Sequence, residues 1–177
     1  MWEYIVGGAV AAMVVPAVVQ VGAKVVWQSV RPKLVGNLGE SEVDRCLRKF
    51  RGPEFARARD VMIPTRNGTS QIDNLLVSRQ GVFVIEVKNY VGSVYGDENS
   101  SKWVQRAPGG AKREFYNPIW QNNGHIRALR AVLGPEFSKV PFHNVVVFSD
   151  DCEVPRLPGV VNMRKLKSFL KDSIKGE

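Results

Sequence analysis

The chain has 177 residues, of which 44% are apolar and 24% charged, enough for one globular domain with an appendage and inconsistent with wholesale disorder. Its formal charge is +8, and without residues 1–33, whose charges are Glu3, Lys24, Arg31 and Lys33, 22 Lys and Arg still oppose 16 Asp and Glu. That excess favours a polyanionic partner, nucleic acid or an anionic membrane surface, while two cysteines without a CxxC pair argue against a disulfide framework or a zinc site.

From Tyr4 to Ala23 the sequence runs uncharged, YIVGGAVAAMVVPAVVQVGA. A helix of that length spans about 30 Å, the thickness of a bilayer core. Pro16 is tolerated in a membrane helix. A buried soluble helix and a cleaved signal peptide are the competing readings, the latter weakened because no Lys or Arg precedes the run. Lys24, Arg31 and Lys33 follow it, so the positive-inside bias predicts a single-pass anchor in the cell membrane with the carboxy-terminal domain in the cytoplasm. The expected division is an anchor and juxtamembrane linker at 1–33 and a globular domain at 34–177.

A helix is predicted from about Asn37 to Phe50, with Val43, Cys46, Leu47 and Phe50 as its apolar stripe. Cys46 therefore reads as a small buried hydrophobe, which suits a reducing compartment. Gly52-Pro53 ends the helix, Ala56 to Ile63 reads as a strand, and Thr65 to Gly68 as a turn. Ser70 to Ser78 and Val82 to Lys88 are β-branched runs joined through Arg79-Gln80-Gly81, the mark of a hairpin of two central strands. GSVYGD (Gly92 to Asp97) reads as another strand, and Trp103 to Phe115 as a short ribbon or loop. Asn117-Pro118 supplies a cap and a first-turn proline for a helix running to about Leu133. Val145 to Phe148 and Gly159 to Asn162 are further strands, and Arg164 to Lys175 is an amphipathic helix. The order predicts an α/β sandwich around a mixed sheet flanked by helices.

Chemistry concentrates on the central hairpin. Period two places Asp73 on one face with Leu75 and Val77, and Glu86 on one face with Lys88. A two-residue turn at Gln80-Gly81 sets Asp73 opposite Lys88, and a four-residue loop sets it opposite Glu86. A three-residue loop moves Asp73 to the other face unless a bulge restores it. Converging carboxylates repel, and a divalent cation such as Mg²⁺ neutralises them while activating water and polarising a phosphodiester. Lys88 beside it would orient or deprotonate the water and offset developing charge. A strand-end salt bridge is the plain alternative, and the D-x12-E-x-K spacing alone is a weak signal.

The surrounding motifs are more specific. GNLGE (Gly36 to Glu40), QID (Gln71 to Asp73), GVFVIEVKNYVG (Gly81 to Gly92), Trp103 and NPIWQN (Asn117 to Asn122) together resemble the nuclease-related domain family over about residues 34 to 135. The resemblance implies a restriction-endonuclease-like fold of the PD-(D/E)xK superfamily, with a Mg²⁺- or Mn²⁺-dependent phosphodiesterase site. It assigns Asp73, Glu86, Lys88, Glu40 and Gln121 to catalysis, with Asp73, Glu86 and Glu40 as metal ligands. Ile72 stands where the wider superfamily has proline, a departure that leaves the carboxylate in place.

Each accessory position also has a structural reading. Glu40 either completes the metal shell or is stabilised by the helix dipole alone. Gln121 and His125 share a helix face, with Gln121 read as a site residue and His125 as a packing histidine. Trp103 and Trp120 either stack on bases or belong to the core. Arg106, Lys112 and Arg113 are the candidate nucleic-acid contacts, or else a solvated loop. The expected function is a membrane-anchored, metal-dependent nuclease acting on nucleic acid, with DNA favoured. The alternatives are an inactive nucleic-acid-binding or interaction module on the same fold and a basic membrane-scaffolding domain.

Overall fold

The computed structural model describes residues 38–65 and 68–175, and the predicted membrane segment lies outside them. Among the described residues no helix is long and apolar enough to cross a membrane. The first helix, α1 (Leu38–Leu47), stops three residues short of the expected Phe50. There the chain tightens into a turn in which the N–H of Phe50 reaches the carbonyl of Leu47. The apolar stripe is as expected: Val43, Cys46, Leu47 and Phe50 are all buried. Cys46 and Cys152 are free, and burial raises both thiol pKa values, that of Cys152 to about 11.

Two antiparallel pairings follow. β1 (Ala56–Thr65) runs past Ile63 because its partner β2 (Gly68–Ser78) begins earlier than the sequence pattern suggested, and Thr65 pairs with Gly68. β2 then pairs with β3 (Gly81–Lys88). Arg79 and Gln80 form the loop, with Ser78 opposite Gly81 and Val77 opposite Val82. This is the register anticipated for a four-residue loop, but closed more tightly. Gly81 makes the closure possible: its φ is +122°, and a Cβ there would collide with the carbonyl of Pro141, whose oxygen accepts the N–H of Val82.

The single sheet expected from the sequence is two mixed sheets. The first has the order β1-β2-β3-β7-β9, with β7 (Phe142–Phe148) and β9 (Val160–Asn162) parallel to β3. The second has the order β6-β5-β4-β8 and comprises β4 (Gly92–Tyr95), β5 (Lys102–Arg106), β6 (Lys112–Tyr116) and the short β8 (Cys152–Glu153). The segment anticipated as a ribbon or loop is thus the β5–β6 hairpin.

Helices cover the first sheet on both faces. Helix α2 (Pro118–Leu133) packs Leu129 and Leu133 against Ile63, Ile72, Leu75, Val77, Val82 and Val84. On the other face, α1 and α3 (Met163–Lys175) enclose Leu76, Phe83, Ile85, Val145 and Val147. Trp103 is not a surface stacking residue: it is fully buried in a third cluster, with its indole parallel to the ring of Phe148. Its N–H donates to the carbonyl of Asp97 at 2.9 Å.

Candidate active site

The strand β3 reads GVFVIEVK, and its first six residues are buried, so Glu86 enters the core at the end of a hydrophobic run. Alternation turns Glu86 and Lys88 to the side of Val82 and Val84, toward α2. Helix α2 is pinned there by Asn122, whose Nδ2 donates to the carbonyls of Val84 (2.8 Å) and Val145 (3.2 Å) and to Oδ1 of Asn144 (2.7 Å). Asn144 Nδ2 returns to the carbonyl of Ile119 at 2.9 Å. With the helix so docked, residues four apart fall over β3 together: Gln121 and His125.

The result is a closed polar cluster. Glu86 Oε1 accepts from Lys88 Nζ and Gln121 Nε2, each at 2.7 Å, and Lys88 Nζ also donates to Gln121 Oε1 at 3.0 Å. Glu86 Oε2 lies 3.3 Å from His125 Nε2, close but not aligned as a hydrogen bond. The other ring nitrogen, Nδ1, contacts Ser70 Oγ on β2 at 2.6 Å. Burial pushes the pKa of Glu86 up, but His125 and the Lys88 ammonium outweigh it and hold the carboxyl below its ordinary value.

Asp73 stands on β2 one step beyond the last hairpin pair, Asn74 with Ile85, so the register carries it opposite Glu86. Its Oδ2 accepts the backbone N–H of Val87 at 2.9 Å, which ties the aspartate to the residue between Glu86 and Lys88. Strict alternation from Leu75 does not hold through this point. The β1–β2 ladder pairs Arg59 with Asn74 and Val61 with Ile72, skipping Asp60 and Asp73, and Asp60 has φ +52°. Ile72 and Leu75, three apart, consequently pack in the same cluster. Asp73 occupies the slip in the pleat, where a side chain is released from the regular ladder.

The structure therefore brings together Glu86, Lys88 and Gln121, with Asp73 across the hairpin. It also adds His125, which the sequence reading gave a packing role, and Ser70, which that reading did not single out. A histidine four residues after Gln121 was the only local signal for the first, and nothing marked the second. Glu40 falls in the first turn of α1, and its side chain lies outside the described residues. Arg106, Lys112 and Arg113 are exposed on the β5–β6 hairpin of the second sheet. Arg106 pairs directly with Lys112 and shares its face, whereas Arg113 pairs with Gln105 on the other. Trp120 is half-buried, its indole N–H held by the carbonyl of Glu98 at 2.8 Å. Asn117 caps α2 and also donates to the carbonyls of Asp97 and Ser100.

Among the described residues no group of three or more His, Cys, Asp and Glu forms a metal cage. What Asp73 and Glu86 offer is a pair of hard carboxylates from adjoining strands, the donor type of a cation that keeps several of its waters. That chemistry fits Mg²⁺ or Mn²⁺. The Lys88 side chain is 16% exposed, so the cluster meets solvent at the end of β3, while the open cleft of about 300 Å³ that Lys88 lines with Val43, Val87, Val147 and Met163 lies on the α1 and α3 side of the sheet.

Fold and site define a mixed α/β domain whose central hairpin ends in an acidic and lysine cluster covered by a glutamine-bearing helix. The nuclease-related domain model matches residues 35–149, and the chain belongs to that family, one of the restriction-endonuclease-like folds. It is similar to an uncharacterized protein of Bacillus anthracis, 34% identical over 127 residues, covering 71% of this chain and 58% of that protein. It is also similar to a probable kinase, PglW, of Streptomyces coelicolor, 31% identical over 109 residues, covering 58% of this chain and 7% of that protein. The chain thus spans less than two thirds of either relative. No solved structure matches.

Proposed function

We propose that the protein is a Mg²⁺- or Mn²⁺-dependent nuclease that hydrolyses phosphodiester bonds, in DNA by preference, at the cytoplasmic face of a membrane. The observation that carries this reading is the Glu86–Lys88–Gln121 triangle at the end of β3 with Asp73 registered opposite. Asp73 and Glu86 would hold the cation, with Glu40 as the ligand the family pattern adds. Once bound, the ion supplies positive charge against the phosphodiester and lowers the pKa of its water.

The ammonium of Lys88 has three donors, of which one serves Glu86 and one Gln121. The third remains for the attacking water or a non-bridging phosphate oxygen, where a fixed cation offsets the charge that develops. Gln121 acts through its neighbours: its amide Nε2 donates a hydrogen bond to Glu86 and its Oε1 accepts one from Lys88, fixing both orientations. His125, seated between Glu86 and Ser70, closes the buried side of the site.

Labelled linear and circular DNA, single-stranded DNA and RNA, each with and without Mg²⁺ or Mn²⁺, test the reading. Asp73→Ala and Glu86→Ala should abolish cleavage and weaken Mn²⁺ binding in calorimetry, because each removes an anionic ligand. Lys88→Ala should lower cleavage by orders of magnitude while Mn²⁺ binding survives. Cleavage unchanged in all three variants would remove this site from the chemistry. A folded protein that binds DNA but neither binds metal nor turns over is the binding module instead.

A further inference from the structure

On the α1 side of the first sheet, away from Glu86, Asn74 is 1% exposed, yet neither its Oδ1 nor its Nδ2 has a hydrogen-bond partner. The other buried asparagines, Asn117, Asn122 and Asn162, all donate to backbone carbonyls. A primary amide buried with both ends unpaired is unfavourable unless something else supplies a donor and an acceptor.

Asn74 lines a cleft of about 300 Å³ between α1 and the edge strand β1, together with Arg48, Arg57 and Arg59. Arg59 is directly opposite Asn74 in the ladder, and Arg57, two residues away, shares its face. Asp44, on the same wall, is engaged by Arg48, and Arg59 contacts Asp60. The Arg57 side chain makes no hydrogen bond or ion pair among the described residues, although its backbone lies in the β1–β2 ladder. A neighbouring cleft of about 440 Å³ shares Arg48 and Arg57 and adds Arg51 and Phe55. This cationic excess lies apart from the β5–β6 hairpin.

We propose that the cleft binds a 5′-phosphorylated nucleotide, with Arg57 and Arg59 on the phosphate and a hydroxyl of the ligand completing Asn74. Guanidinium forks match phosphate oxygens in charge and spacing. A hydroxyl is donor and acceptor at once, which is what the orphaned amide lacks. The nucleotide is either free or the terminal residue of a strand, and both present the same phosphate and sugar. The proposal does not depend on the nuclease reading, since binding needs neither metal nor cleavage.

Calorimetry on the full chain in EDTA tests it with adenosine 5′-monophosphate and with matched oligonucleotides bearing a 5′-phosphate or a 5′-hydroxyl. Arg57→Ala/Arg59→Ala, both exposed positions, should weaken binding by about tenfold or more. Asn74→Leu should raise the melting temperature of the unliganded protein by removing the unpaired amide, and also weaken nucleotide binding. Binding of the monophosphate without preference among oligonucleotides identifies a free nucleotide, and preference for the 5′-phosphate identifies a strand end. If neither phosphorylated probe binds, or if each binds the arginine variant and Asn74→Leu as tightly as the wild type, the proposal fails and Asn74 is a packing residue.

Discussion

Glu86 is a carboxylate at 3% exposure that keeps its charge because Lys88, Gln121 and His125 surround it. Removing that charge leaves the Lys88 ammonium, 16% exposed, without its counter-ion, and breaking such a pair typically costs about 3 kcal/mol. Glu86→Gln should therefore lower stability at neutral pH, measured by urea denaturation. The sign of the pH dependence follows from the lowered pKa: the charge contributes stability above the unfolded carboxyl value of 4.5 and loses it as pH falls through the lower folded value. The gap between wild type and Glu86→Gln should accordingly close in acid. A gap that is constant with pH would mean that the charge of Glu86 contributes nothing. At this scale the types and places of Asp73, Glu86, Lys88 and Gln121 were legible in the chain. The roles of Ser70 and His125 were not, because 55 residues separate them and only helix docking makes them neighbours.

The elements were most legible where the signal is local. Asn117-Pro118 marked the start of α2, and the helix ends at Leu133 as its periodicity suggested. Yet Asn117 is more than a cap. Its Oδ1 accepts the N–H groups of Ile119 and Trp120, while its Nδ2 holds the carbonyls of Asp97 and Ser100, joining the helix to the loop between β4 and β5. Asn117→Asp keeps the cap acceptor and loses the two donations, whereas Asn117→Ala loses both functions. Unfolding free energies from urea denaturation should rank wild type, Asp and then Ala, with the Ala variant less stable by about 2 kcal/mol. Equal destabilisation by the two variants would show that the cap carries no weight. The length of β1, by contrast, was underestimated, since Pro64 and Thr65 acquire strand geometry from pairing with Thr69 and Gly68 rather than from their own propensity.

At the scale of the molecule, charge and hydropathy carry predictions that need no side-chain geometry. With 22 Lys and Arg against 16 Asp and Glu beyond residue 33, affinity for nucleic acid should fall steeply with salt as counterion release weakens. Arg106 and Lys112, like charges directly paired on one face, should act together, so their double substitution should flatten the slope more than Arg113→Ala. Salt-insensitive binding would exclude a phosphate-backbone interface. The uncharged run from Tyr4 to Ala23 and its one-sided basic flank make a membrane anchor our proposal for the amino terminus. The full-length protein should resist carbonate extraction and place a carboxy-terminal reporter in the cytoplasm, and recovery of the uncleaved protein in the soluble fraction would sink the anchor. By itself the sequence determined the hairpin, the apolar stripe of α1, the start of α2 and the family, because alternation, helical periodicity and ordered motifs are properties of neighbouring residues. Only tertiary structure decided that the loop holds Arg79 and Gln80, that Asp73 lies in a slipped pleat, that the strands divide into two sheets and that Asn74 is buried without a partner. Register, docking and burial depend on what lies across the fold, where segments distant in sequence compete for the same hydrogen bonds and the same apolar surface.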